Sequence, residues 1–175
     1  MTDTNDRVNK LGDDLKLQVR ETFYKAMKDS LCTIVDVNDM SPDNVRWLTE
    51  LLTEIRDRIN KLTPSRKDLH IKFEQSLDTN LVSQMLQNTA FDMEDFKHIV
   101  DCIYERLKML CAPSQDAHVN STHQKILNLP FGPAVGTLII ETNKIIDEIE
   151  SALTNINSDM LELVHAAHAL RNSKK

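Results

Sequence analysis

The stretch SPDNVRWLTELLTEIRDRINKLTP, residues 41–64, decides the fold class. Ser41 is a strong helix N-cap, because its hydroxyl can accept from a backbone N–H that the first turn leaves without a partner. Pro42 suits the first helical position, where its missing N–H costs nothing and its fixed φ is already helical. Val45, Leu48, Leu52, Ile55, Ile59 and Leu62 then recur at three- and four-residue steps, on one face of a 3.6-residue period. Pro64 ends the run. The same grammar, a proline or capping side chain followed by an apolar stripe, extends in both directions.

Towards the N-terminus, Val8, Leu11, Leu15, Val19, Phe23 and Ala26 predict a first helix that buries this face, with Gly12 weakening its first turns. The segment Leu31–Val35 is β-like by propensity but isolated, and reads as a helix end or buried connector. Towards the C-terminus, Ser65 restarts a helix through Leu69, Phe73 and Leu77. Asp78-Thr79-Asn80 breaks it, and a short helix with Leu81, Val82, Met85 and Leu86 follows. Asp92 caps the next helix, with Asp95 standing where a capping box usually has Glu. Its stripe is Phe96, Ile99, Val100, Ile103, Leu107 and Leu110. Ser114 to Leu129 has weaker periodicity around Val119, Ile126 and Leu127. Beyond Pro130-Phe131-Gly132-Pro133, a long helix carries Val135, Leu138, Thr142, Ile145, Ile149, Ala152 and Ile156. Ser158 then caps a last helix with Leu161, Val164 and Leu170, and Asn172 to Lys175 fray. The expectation is an all-α, single-domain bundle of about seven to eight helices over residues 1–175.

Composition supports this. Only three glycines occur, too few for a turn-rich sheet protein, and 41% apolar residues can fill one core. A net charge of −6 argues against general nucleic-acid affinity, which needs an excess of Lys and Arg. Cys32, Cys102 and Cys111 are odd in number and lack CxxC spacing, so a reducing compartment is expected. The first 16 residues have no apolar core, and no apolar run approaches the roughly 20 residues of a membrane span. The chain is therefore expected to be cytoplasmic. The sequon Asn120-Ser121-Thr122 has no meaning without a secretion route.

Charge is unevenly spread. Between residues 56 and 72, six basic side chains (Arg56, Arg58, Lys61, Arg66, Lys67, Lys72) face two acids, a local +4. With −6 overall, the rest of the chain holds −10. Two readings stand: a solvated helix–turn–helix edge, or a docking patch for an acidic partner or phosphate. Arg66 and Lys67 favour the patch, since cations gain nothing from the dipole at a helix start.

No glycine-rich phosphate loop, G-x-S-x-G elbow or H-E-x-x-H motif is present. Asp95…His98 and Glu162…His165 have the acid-x-x-His spacing of di-iron bundles, but the inward Glu residues such a site needs are not evident. His165 and His168 are three apart and would need outside ligands; His118 and His123 fall on different faces. Cys111 follows an apolar helix end and reads as a buried structural thiol, so that Cys111→Ser should cost about 1–3 kcal/mol for a poorly satisfied hydroxyl. Trp47 lies beside the Val45/Leu48 stripe and reads as packing. No catalytic residue, metal or cofactor is expected.

The stretch from Leu62 to Val119 resembles the core of the T-complex protein 11 family. Pro64 followed by Arg66, the helix closing on Leu77-Asp78, and Leu110-Cys111-Ala112-Pro113 with Asp116 occupy the places of the family's motifs. The family's Leu-Cys-Ala-Pro-x-Arg-Asp signature has Gln115 here in place of Arg. Clear resemblance spans about residues 45–120, and the short chain looks like a stand-alone version. The resemblance implies an all-helical, non-enzymatic regulatory protein associated with cyclic-AMP and protein kinase A signalling. The leading reading is thus an adapter that binds a protein with an acidic surface. A metal- or redox-active bundle enzyme is the alternative from another class. A further one is a viral-type module that binds a host regulatory protein. A groove-bearing module of the death-regulator kind would want an Asn-Trp-Gly-Arg-like segment, which is absent.

Overall fold

The computed structural model describes the backbone of residues 2–172 and the side chains of residues 11–165, other than positions 13 and 17. Its helices are α1 (Thr2–Leu31), α2 (Pro42–Lys61), α3 (Lys67–Ser76), α4 (Thr79–Gln87), α5 (Met93–Lys108), α6 (Asp116–Leu127) and α7 (Phe131–Asn172). Single 3-10 turns cover Val37–Asp39 and Pro113–Gln115, and no strand occurs among the described residues. None of these helices is long and apolar enough to cross a membrane.

Capping side chains start the helices where the sequence places them. The Asn44 N–H donates to Ser41 Oγ at 3.2 Å. Asp78 Oδ1 accepts from the Asn80 and Leu81 N–H groups at 3.0 and 3.1 Å, which opens α4. Asp92 Oδ1 accepts from Glu94 and Asp95, while Asp95 Oδ2 accepts in return from the Asp92 N–H at 3.0 Å. Asp95 therefore completes a capping box with one carbon fewer than Glu.

One contiguous core joins all seven helices. Leu48, Leu52, Ile55 and Ile59 of α2 meet Phe96, Val100, Ile103, Tyr104 and Leu107 of α5 there. Val119 and Ile126 of α6 and Leu138, Ile145, Ile146 and Ile149 of α7 close it, each such side chain contributing roughly 1.5–3 kcal/mol by burial. The expected stripes of α2, α5 and the first half of α7 are the ones buried. Helix α3 starts two residues later than Ser65 implied, with Arg66 at its cap.

Two expectations are corrected. The last two expected helices are one, α7, because Asn155, Asn157 and Ser158 disfavour helix only mildly and nothing there removes a backbone N–H. At 1.5 Å per residue this helix is about 63 Å long, and every residue from 153 to 165 is exposed. The stripe expected to bury α1 instead faces solvent: Leu11, Leu15, Val19 and Phe23 are all exposed, as is Ala26. Tyr24, Met27 and Leu31, a quarter-turn round the helix, are buried in their place, and α1 packs against α7. Gly12 does not interrupt the helix. The side chains of Val8, His168 and Leu170 lie outside the described residues, as do residues 173–175.

The segment after α1 is a connector, with Leu31 and Ile34 buried and Val35 exposed. Its geometry is set by Gly132 in the first turn of α7. A Cβ on Gly132 would sit 2.5, 2.6 and 2.9 Å from the carbonyl oxygens of Ile34, Leu31 and Cys32. Backbone meets backbone there, so neither side can yield. On Gly136 the added atom would meet Cys32 Sγ and Lys28 Cγ, which can rotate away. Gly132→Ala should reach the upper end of the roughly 1–3 kcal/mol range of overpacking and lower Tm by roughly 5–10 °C. Gly136→Ala should cost clearly less; equal losses in thermal melts would show that the close approach is not the cause.

Candidate functional site

The basic segment runs off the last turns of α2, round the Leu62–Arg66 turn and along α3. Its six cations separate by the side of the helix they occupy. Arg58 follows Ile55 by three positions, which turns it inward, and it is only 8% exposed. Its Nη1 donates to Asn143 Oδ1 at 2.6 Å, and its Nη2 to Asp147 and Glu150 at 2.6 and 3.0 Å. Asn143 gives its own Nδ2–H to the Ile139 carbonyl, which leaves Oδ1 free to accept, and Arg20 of α1 donates to that same oxygen at 2.8 Å. Arg20 also bonds the Tyr24 hydroxyl, which donates to Glu54 at 2.7 Å. Arg58 thus belongs to an internal node that ties α1, α2 and α7, and is withdrawn from any docking surface.

Arg56 is half-buried and reaches Thr79 and Asp57. Arg66 holds Asp68 in a fork, Nε to Oδ1 at 3.0 Å and Nη2 to Oδ2 at 2.9 Å, and these hydrogen bonds hold the Asp68 carboxyl down to about 2. The fork supplies the local role that the dipole argument did not find for Arg66. Lys61, Lys67 and Lys72 are exposed and make no ion pair with any described residue. The free positive charge of the corner rests on these three.

Sequence reasoning missed a fourth cation, Arg106 of α5, which packs beside this corner and is 6% exposed. Its Nη2 donates to Thr63 Oγ1 at 3.2 Å, while its buried Nε has no hydrogen-bond partner. Burial, and secondarily the nearby Arg66 charge, lower its pKa. The signal was available: Arg106 follows Ile103 by three residues, the register that also turns Arg58 inward.

Just past Arg106, beyond the C-terminal end of α5, the chain turns sharply. The Leu110 and Cys111 N–H groups both donate to the Leu107 carbonyl at 2.9 Å, and the extended Ala112 leads into the Pro113–Gln115 turn. Leu110 and Cys111 are partly buried against the core, whereas Ala112, Pro113 and Asp116 are exposed. Cys111 Sγ lies 3.3 Å from Asp116 Oδ1 and 3.7 Å from the Lys108 carbonyl. Burial and that carboxylate raise its pKa. Two acceptors already face the thiol, so a serine hydroxyl would find partners and the expected 1–3 kcal/mol cost does not hold. The residues of the signature build a corner.

Among the described residues no three His, Cys, Asp or Glu side chains come together as a metal centre would need. Asp95 is spent in its capping box, and His98 faces Cys102 Sγ at 3.7 Å. Glu162 and His165 lie on the exposed end of α7. His123 is buried and stacks on Tyr104 with ring centres 5.0 Å apart. Lys108 Nζ lies 3.1 Å from its Nδ1, and Asp101 Oδ1 2.7 Å from its Nε2. An ammonium can only donate, so Nδ1 accepts and the Nε2–H goes to Asp101. Both ring nitrogens are committed to clasping α6 onto α5.

The family model for T-complex protein 11 matches residues 3–174. The chain belongs to the T-complex protein 11 family. The match extends well beyond residues 45–120 and takes in α1 and α7. No curated protein and no solved structure matches the chain.

Membership gives the Gln115 substitution a physical reading. Gln115 Oε1 accepts from the Ala112 N–H at 3.3 Å, and its Nε2 donates to Glu148 of α7 at 3.3 Å. A side chain at this position therefore reaches a carboxylate across the corner. Gln115→Arg should convert the contact into an exposed ion pair, with a gain of about 0–1 kcal/mol that shrinks in high salt. A loss of stability in low-salt melts would contradict this geometry.

The two tyrosines provide a second check. Burial, and for Tyr24 its bond to Glu54, pushes both Tyr24 and Tyr104 up to about 12. A raised folded pKa means stabilisation that is complete below the unfolded value of 10.0 and is lost as pH rises through about 12. Tyrosinate absorbance should stay low at pH 10 and rise together with loss of helix signal between about 11 and 12. Half-ionisation at pH 10 with the helices intact would disprove the burial.

Proposed function

We propose that the chain is a non-enzymatic helical adapter that acts in the cytoplasm by binding an acidic surface of a partner protein through the α2–α3 corner. The observation that carries this reading is the sorting of the basic segment. Its arginines are taken up by partners within the chain, while Lys61, Lys67 and Lys72 are exposed and make no ion pair with any described residue. Unpaired cations on a chain that is otherwise acidic steer encounter with a complementary partner and orient it. The exposed apolar side chains of α1 and α7 (Leu15, Val19, Phe23, Ile156, Met160) offer further contact area of the kind found at protein interfaces. Cyclic-AMP and protein kinase A signalling, which the resemblance to the T-complex protein 11 family implies, is the pathway proposed for such an adapter.

Lys61→Glu combined with Lys67→Glu tests the reading without disturbing the Arg66–Asp68 fork. Both lysines are exposed, so Tm should stay within roughly 1–2 °C. Partners captured by the wild-type chain should be acidic, should be lost or weakened with the double variant, and should associate about tenfold more slowly with it at low salt. An unchanged association rate at low salt would reduce the corner to a solvated face.

A further inference from the structure

Two arginines among the described residues are almost fully buried, and they are treated in opposite ways. Arg58 has three acceptors, two of them carboxylates. Arg106 has one neutral hydroxyl, an Nε without a partner, and no ion pair among the described residues. A buried guanidinium without an anion is costly, and a fold ordinarily supplies one or substitutes an apolar side chain. Arg106 also lines a cavity of about 300 Å³ between α3 and α5, together with Lys72, Glu105, Leu69, Phe73 and Met109. Lys72 makes no ion pair within the described chain, and Met109 is exposed although apolar. The cavity thus combines two cations, one carboxylate and an apolar wall.

We infer that Arg106 and Lys72 anchor a carboxylate from an acidic, amphipathic segment of the partner, whose neighbouring apolar side chain packs on Leu69, Phe73 and Met109. The inference rests on the adapter reading and names the anchor within it. Charge decides the class of anion. Lys72 and Arg106 against Glu105 leave +1 at the cavity, which a single carboxylate neutralises, whereas a phosphate of nearly −2 would leave excess negative charge beside Glu105. The wall decides the rest of the ligand. A free small anion would leave Met109 and the open edge of Leu69 in water, while an Asp or Glu beside Leu or Phe on one helix face covers them. The planar donor edge of a guanidinium also matches a carboxylate better than it matches any neutral acceptor.

The probe is a synthetic 16-residue peptide of Glu, Leu and Phe at helical spacing, with a Glu→Gln counterpart and a counterpart carrying phosphoserine for Glu. Fluorescence polarisation should show the Glu peptide binding at least tenfold more tightly than the Gln peptide, and more tightly than the phosphoserine peptide. Arg106→Met removes the underpaired charge at similar length, so Tm should hold or rise while binding falls about tenfold. Lys72→Gln, at an exposed position, should reduce binding severalfold with no change in Tm. The Arg106 Nε–Hε resonance of the wild-type chain should shift on adding the Glu peptide, which keeps the test open should Arg106→Met fail to fold. Equal binding of the Gln peptide, tighter binding of the phosphoserine peptide, full binding by Lys72→Gln or an unmoved Arg106 resonance each overturns the pocket. If the Lys61/Lys67 variant still loses a natural partner while Arg106→Met and Lys72→Gln retain it, the corner stands as a docking surface and only this anchor falls.

Discussion

Burying the Arg58 guanidinium commits three helices at once. A charge taken out of water needs acceptors at fixed distances, and these are the Asn143 amide oxygen and the Asp147 and Glu150 carboxylates, one turn apart along α7. Arg20 of α1 shares Asn143 with Arg58, and Tyr24 on the same helix links back to Glu54 of α2. An apolar contact alone would let α7 slide or rotate against α2 at small cost. The node does not, because hydrogen bonds to a planar guanidinium lose their value within a few tenths of an ångström. It fixes the register of α7, and Gly132, at the start of that helix, then fits against the carbonyls that end α1.

From that register the outer parts follow. Helix α6 folds back along α5 and is held by the His123 clasp, whose ring lies flat on Tyr104. The corner between these helices carries the family signature, and its small and turning residues fit a tight reversal better than any chemistry. Gln115 extends the corner to α7 through Glu148. Asn143, Asp147 and Glu150 hold the node on one side of α7 while Glu148 meets the corner from another, and every residue from 153 to 165 of that helix is exposed. The stretches of α1 around Leu11 to Phe23 and of α7 around Ile156 to Val164 are helical with their apolar residues in water, a form that suits contact with something outside the chain.

The contrast between the arginines separates stability from recognition. Arg58, Arg66 and Arg20 find their counter-charges or acceptors within the chain and so serve the fold. Lys61, Lys67 and Lys72 make no ion pair among the described residues, and Arg106 has only the Thr63 hydroxyl; they gather where α2, α3 and α5 meet. Opposed charges inside a bundle tend to be resolved by folding, and what remains unresolved on one face is available to a partner.

The sequence by itself determined the helices. Caps at Ser41, Asp78 and Asp92, stops at Pro64 and Pro113, and three- and four-residue apolar spacing act within one or two turns, so they can be read along the chain. It also determined the family, because the Leu110–Pro113 corner depends on local residue identity. The tertiary structure alone decided which faces are covered. The stripe from Leu11 to Phe23 is as regular as that of α2, yet it stays in water because periodicity describes a helix face and not the presence of a neighbour. It likewise decided that α7 passes Ser158 unbroken, since a residue able to cap does so only where another force ends the helix. And it decided the charges: Arg58 and Lys61 are three residues apart in one basic run, but one meets the acids of α7 and the other meets solvent. Their pairing depends on residues some 90 positions away, and no local pattern encodes that distance.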